Sequence, residues 1–86
     1  MSVRPARNEA AVRHHDIDDA TVVMRLDDGE MFELEGPARA IWKLADGTRD
    51  RDAILAALVR RYAHDPEIAS DLDRFLGELA KAGLLA

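Results

Sequence analysis

The chain contains no cysteine. That excludes disulfides, thiolate metal sites and a thiol nucleophile together, and it suits a reducing compartment. No apolar run approaches the roughly 20 residues that cross a bilayer. The N-terminus, MSVRPARNEA, is charged where a signal peptide would carry an apolar stretch. Basic residues are also in deficit, 12 against 17 acidic ones, for a formal charge of −5. Proteins that grip a nucleic-acid backbone show a basic footprint. Here the bases are scattered, with Arg4, Arg7 and Arg13 near the start and Arg60-Arg61 mid-chain. The expectation is a cytoplasmic protein that binds neither membrane nor nucleic acid.

Catalytic equipment is equally sparse. No glycine-rich phosphate loop is present, and neither serine, Ser2 or Ser70, stands in a motif that would activate it. His14-His15-Asp16 looks like a metal handle, but adjacent residues of a strand point to opposite faces and do not chelate one ion together. They read as exposed polar residues on an edge strand. The acidic pairs Asp18-Asp19 and Asp27-Asp28 are sequence neighbours in turn-like contexts, unlike an acid and base flanking a substrate. The expectation is no catalytic residue, no metal and no cofactor.

What is present is a single small domain. A chain of 86 residues buries only about 60–65% of its unfolded surface, enough for a binding module and too little for a deep substrate cavity. Residues 1–9 read as a flexible polar arm, and residues 10–86 as the domain. The strongest strand signal is ATVVMRLDDGEMFEL, two β-rich runs around Asp-Asp-Gly. A two-residue loop pairs Arg25 with Phe32 and mixes charge with core. A three-residue loop, Asp27-Asp28-Gly29, pairs Met24 with Phe32 and Val22 with Leu34 on one apolar side, and Gly29 supplies the left-handed residue. The second register is therefore expected, with Met24 inward and Met31 exposed beside Val23. The segment AVRHHDID alternates weakly and reads as a candidate first strand.

Helical signals follow. Gly36-Pro37 opens a short helix with Ala40, Ile41, Trp42 and Leu44 on its apolar side, and Asp46-Gly47 ends it. Trp42 reads as core. A second helix starts near Thr48 or Asp50 and buries Ile54, Leu55, Leu58, Val59 and Tyr62. Asp65-Pro66 reads as N-cap and first residue of a third helix, with Ile68, Leu72, Phe75, Leu76 and Leu79 on one face and a glycine C-cap at Ala82-Gly83-Leu84. Gly77 sits mid-helix, either as a tolerated surface defect or as a point of close backbone approach. The element order is two strands, with a candidate first strand before them, followed by three helices, which makes the fold class α+β. In a meander, the last strand, from residue 30 to 34, lies at the sheet's edge. Its unpaired N–H and C=O groups are either blunted by Glu30, Glu33 and Glu35 or serve as a rail onto which an extended peptide adds itself.

From Leu34 onward the chain resembles the PqqD-like family, the recognition elements of ribosomally made and modified peptides. The residues that carry the resemblance are A-x-x-I-W-x-L-x-D-G-T (38–48), A-I-L-A-A-L (53–58), Tyr62, and D-L-D-R-F-L-G-E-L-A-K-A-G-L-L (71–85). One departure stands out: Leu34-Glu35 replaces the family's common Leu-Asn, in which asparagine caps the first helix. The resemblance implies a three-stranded antiparallel sheet packed on three helices in a winged-helix-like arrangement, and a non-catalytic domain that binds a leader peptide as an added strand and presents it to a modifying enzyme, such as a radical-SAM enzyme or a leader protease. It places the rail at Glu30, Met31, Phe32, Glu33, Leu34 and Glu35. The groove wall falls at Leu72, Phe75, Leu76 and Leu79, with Arg74 as charge partner for an acidic leader.

Two rival readings use the same elements. A winged-helix DNA-binding domain needs a basic recognition helix, and the third helix sets Arg74 and Lys81 against five acids from Asp65 to Glu78. A homodimeric structural or regulatory subunit would pair its edge strand with itself. Electrostatics favour the peptide.

Overall fold

Two turns fold the first part of the chain into a meander. The computed structural model describes residues 3–86. Asp18-Asp19, with Asp18 at φ 54°, forms a two-residue turn between β1 (Val12–Ile17) and β2 (Ala20–Arg25). The two strands pair antiparallel from Val12↔Arg25 to Ile17↔Ala20, so the weakly alternating first segment is a full strand. β3 (Met31–Leu34) pairs with the other side of β2, in the order β1-β2-β3. Helices α1 (Gly36–Leu44), α2 (Arg51–Arg61) and α3 (Ile68–Lys81) follow, completing an α+β fold.

The β2–β3 hairpin corrects the expected register. Met24 pairs with Met31, Val23 with Phe32 and Thr21 with Leu34, so the loop holds four residues, 26–29, rather than three. Gly29 keeps its left-handed conformation at φ 73°. A one-residue slip turns a strand over. Val23 and Thr21 are therefore buried, and Met24 lies on the outer face beside the exposed Met31. The physical reason is Arg25, which reaches out of the core's rim instead of being excluded from that side. Its guanidinium donates to Asp28 and Glu30 at 2.7 and 2.6 Å and to the Ala82 carbonyl at 2.6 Å. It also lies over the Phe32 ring, 5.5 Å from the centroid.

The core has two parts, and α1 serves both. Trp42 packs with Val12, Val23, Leu34, Leu79 and Leu84 against the sheet. Ala40 and Ile41, on the adjoining side of the helix, pack with Ile54, Leu58, Ile68 and Leu72 of α2 and α3. Phe75 touches both clusters. This is why a helix of nine residues is apolar on so wide a face.

Helix ends follow local chemistry. Glu35 occupies the N-cap of α1 without a side-chain bond, consistent with glutamate being a poor cap. Asp50 caps α2, accepting from the Ala53 N–H at 2.9 Å. α3 begins at Ile68, later than expected. Asp65 accepts from the N–H of Glu67, two residues on, at 2.9 Å, and this Asx-type bond holds a turn ahead of the helix. At its other end, Leu84 N–H donates to Leu79 C=O and Gly83 N–H to Ala80 C=O, with Gly83 at φ 76°. This is a Schellman motif, with Leu84 buried beside Leu79.

Of the arm over residues 1–9, Met1 and Ser2 lie outside the described residues. Ala6 bridges to Asp46 and Arg7 to Leu85. The Arg7 side chain donates to the carbonyls of Trp42 and Lys43 at 2.8 and 2.9 Å, satisfying groups that the C-terminal end of α1 leaves open. Asp16 joins sheet to helix from the other direction. Its carboxylate accepts from Lys43 at 2.7 Å and from the buried Thr21 hydroxyl at 2.6 Å, with Arg39 3.5 Å away.

Two predictions follow from this packing. The Lys43 and Thr21 hydrogen bonds hold the Asp16 carboxyl far below the usual carboxylate range, and the Arg25 hydrogen bond pulls Asp28 from 3.8 to about 2. Groups depressed in the folded state contribute stability above their unfolded pKa and lose it as pH falls through the folded one. The melting temperature is expected to fall as pH drops from about 4 towards 2, and Asp28→Asn to flatten part of that slope in a thermal-melt series. Separately, a Cβ on Gly77 meets no atom within 4 Å, so the glycine is a surface defect. Gly77→Ala is expected to raise stability by about 1 kcal/mol in urea titration.

Candidate functional site

β3 is an edge strand of four residues, and the ladder decides which of its groups are free. Arg25 N–H donates to Glu30 C=O at 2.8 Å, which makes Arg25/Glu30 a hydrogen-bonded pair. Antiparallel pairs alternate. Phe32 and Leu34 therefore bond to β2 through their backbones, while Met31 and Glu33 turn their N–H and C=O groups away from the sheet. Side chains divide the other way: Phe32 and Leu34 face the helices, and Met31 and Glu33 face out.

Where β3 passes into α1, a cleft opens between α1 and α3. This depression of about 230 Å³ has an apolar floor of Pro37, Ala38, Ile41 and Phe75, with Glu35, Asp71 and Arg74 at its rim. Arg74 is exposed and, among the described residues, pairs only with Asp71, at 3.1 Å, one turn away on the same helix. Such surface pairs are worth little, so this guanidinium can exchange partners at small cost. At the other end of β3, Arg25 ties the hairpin to the last turn of α3 through Ala82. Its charge is already met by Asp28 and Glu30.

The residues singled out from the sequence divide accordingly. Glu30, Met31, Phe32, Glu33, Leu34 and Glu35 form the continuous edge. Phe75 and Arg74 stand over the cleft. Leu72 and Leu79 are buried in the two core clusters, and Leu76 packs into the cluster shared with α2. The helix turns about 100° per residue, which sends Leu76 to the side opposite Arg74. The accessible wall is thus narrower than the helix's apolar pattern, and Pro37, Ala38 and Ile41 of α1 complete it. In the sequence these three stood out as the opening of a short apolar helix and as part of the family-like motif from Ala38, not as a cleft wall.

His14 and His15 lie on opposite faces of β1. His14 is not simply an exposed edge residue: its ring meets Trp42 edge-on, with centroids 5.3 Å apart. The Trp42 indole N–H donates to Nδ1 at 3.4 Å, while Nε2 lies 3.0 Å from Glu9. Nothing in the helix periodicity marks this histidine. Among the described residues, no helix is long and apolar enough to cross a membrane.

Comparison with known proteins bears on this edge. The model of the PqqD family, coenzyme PQQ synthesis protein D, matches residues 20–85. Among solved structures, TbiB1 in complex with the TbiA(beta) leader peptide is similar. The two chains share 31% identity and superpose with a TM-score of 0.78, covering 99% of this chain and 94% of that one. No curated protein matches the chain.

Core and cleft residues on α3 are separable by stability. Leu72→Ala is expected to cost about 2–5 kcal/mol, as a buried leucine removed from a packed cluster does. Arg74→Glu is expected to change stability by no more than about 0.5 kcal/mol. Urea unfolding of both variants checks the division.

Proposed function

This chain belongs to the PqqD family, and on that footing we propose that it is a non-catalytic recognition element for the leader region of a ribosomally made precursor peptide. The leader adds as a fourth strand on the outward N–H and C=O groups of Met31 and Glu33. Phe75, with Pro37, Ala38 and Ile41, receives a leader side chain, and Arg74 meets an acidic one. Glu30, Phe32, Leu34 and Glu35 define the rail, while Leu72, Leu76 and Leu79 hold the helix that walls it. The observation that carries this reading is the free β3 edge beside a cleft, in a chain that superposes along almost its whole length on a protein solved with a leader peptide.

Function then consists of positioning. The domain holds the leader and contacts a peptide-modifying enzyme of the radical-SAM or leader-protease kind, so the core peptide meets the active site at high effective concentration. The work is done in the cytoplasm, where the peptide is made. The charge distribution supports a peptide over DNA. Arg49 and Arg51 of the α2 region are paired with Asp46 and Asp73, at 3.1 and 2.7 Å, so among the described residues Arg60 and Arg61 are the cations of that helix without an ion pair.

The test is an NMR titration of labelled protein with precursor leader peptides encoded beside its gene. Shifts are expected at residues 30–35 and along the α3 side that carries Arg74 and Phe75. Silence at concentrations well above micromolar removes the reading. Met31→Pro deletes an outward donor while leaving the β2 ladder intact. It is expected to weaken leader binding by about tenfold, the equivalent of one main-chain hydrogen bond, with an almost unchanged melting temperature. Unchanged affinity places the rail elsewhere.

A further inference from the structure

The sheet has a second surface, and it is not polar. An antiparallel sheet with one solvated face normally sets polar residues there. On β2 the outward positions are Ala20, Val22 and Met24, and Leu26 continues the row just beyond the strand. Ile17 stands beside Ala20 and Met31 beside Met24. Ile17, Leu26 and Met31 are 51, 42 and 64% exposed. No helix packs here, because Trp42 and the rest of the core lie on the opposite face.

The charge at one end of this face is of one sign. Between the β1–β2 turn and the end of β3 lies a depression of about 400 Å³, floored by Ile17, Ala20 and Val22 and rimmed by Asp18, Asp19, Glu33 and Glu35. Among the described residues none of these four carboxylates has an ion-pair partner. Arg13 and His15 flank the far side, on β1. Size also constrains the occupant. Strands of six, six and four residues make a face of on the order of 300 Å², far below the about 800 Å² per partner that a stable complex buries. A face this small suits a transient partner better than a permanent dimer.

We propose that this outer face docks the peptide-modifying enzyme, through an apolar ridge flanked by lysine or arginine. The inference rests on the leader reading, because β3 belongs to both surfaces. A strand added at its edge extends the sheet and sends alternate side chains onto the same outer face. The enzyme then meets a continuous surface made by the domain and the leader together. Leader and enzyme strengthen each other's binding by the same factor.

The experiment uses the full chain, its precursor leader peptide, and each purified peptide-modifying enzyme encoded beside its gene. Ile17→Lys with Asp19→Lys changes the outer face and leaves the β3 edge and the cleft untouched. The expected result is leader affinity within twofold of the parent, enzyme affinity reduced at least tenfold, and parental affinity for the enzyme raised by the leader. Unchanged enzyme affinity with intact leader binding overturns the docking face and spares the recognition reading. A parent that binds no leader overturns that reading and this one with it. A parent that sediments as a dimer and a variant that sediments as a monomer assign the face to a second copy instead.

Discussion

Trp42 is the point on which the other elements converge. Its ring is fully buried, and removing such a side chain typically costs about 3–5 kcal/mol. That is a large share of the about 5–15 kcal/mol by which a small domain is stable. The indole fills the space between the sheet and the C-terminal turn of α3, and its N–H points to His14 on β1. Its backbone carbonyl accepts from Arg7 in the N-terminal segment, whose guanidinium lies 6.0 Å from the indole centroid. One residue on a nine-residue helix thereby sets the positions of the arm, the first strand and the chain's end. Ile41, next to it, anchors the other half of the core. A shift of α1 about its axis would disturb both halves at once, so the helix that borders the cleft is held from two sides.

Features legible in the sequence were those set by chemistry within a few residues. Gly36-Pro37 at the start of α1, Asp50 ahead of α2 and Ala82-Gly83-Leu84 after α3 each name a local conformation, and the structure bears them out. The β2–β3 register was not legible, because it depends on partners far along the chain. Placing Arg25 on the inward side looks unfavourable until the Ala82 carbonyl, 57 positions later, is seen to receive it. The same holds for Arg7, His14 and Asp16, whose partners lie on α1. For the candidate site, the edge strand was legible, while the cleft wall was only half so. Periodicity shows that Leu72, Phe75, Leu76 and Leu79 share a face; it does not show which neighbour covers each one.

Free strand edges usually invite aggregation, and this one is guarded by restraint rather than by cover. β3 is four residues long, and acidic side chains at Glu30, Glu33 and Glu35 accompany it. A short edge offers few main-chain hydrogen bonds to a casual partner, and the carboxylates repel a second copy of the same edge. A peptide that also fills the cleft beside Phe75 gains what a casual strand does not. Selectivity then comes from the side-chain pocket, and the backbone rail contributes affinity that any extended peptide shares.

The three directions of β3 have separate duties. Inward, Phe32 and Leu34 are committed to the core. Along the edge, the backbone groups of Met31 and Glu33 point away from β2. Outward, the side chains of those same two residues border the apolar face of the sheet. A strand makes these assignments compatible, because its edge is perpendicular to its two faces. A helix has no such edge, since its backbone groups bond within it. One four-residue segment can therefore hold a ligand by its main chain and still show its side chains to a second partner. The one-residue slip in the hairpin matters for this reason. In the other register Met24 and Phe32 would share the core and Val23 would stand on the outer face, while the free backbone groups of β3 would still be those of Met31 and Glu33. Arg25, by fixing the register, decides which side chains of β2 meet the core and which meet the outer face.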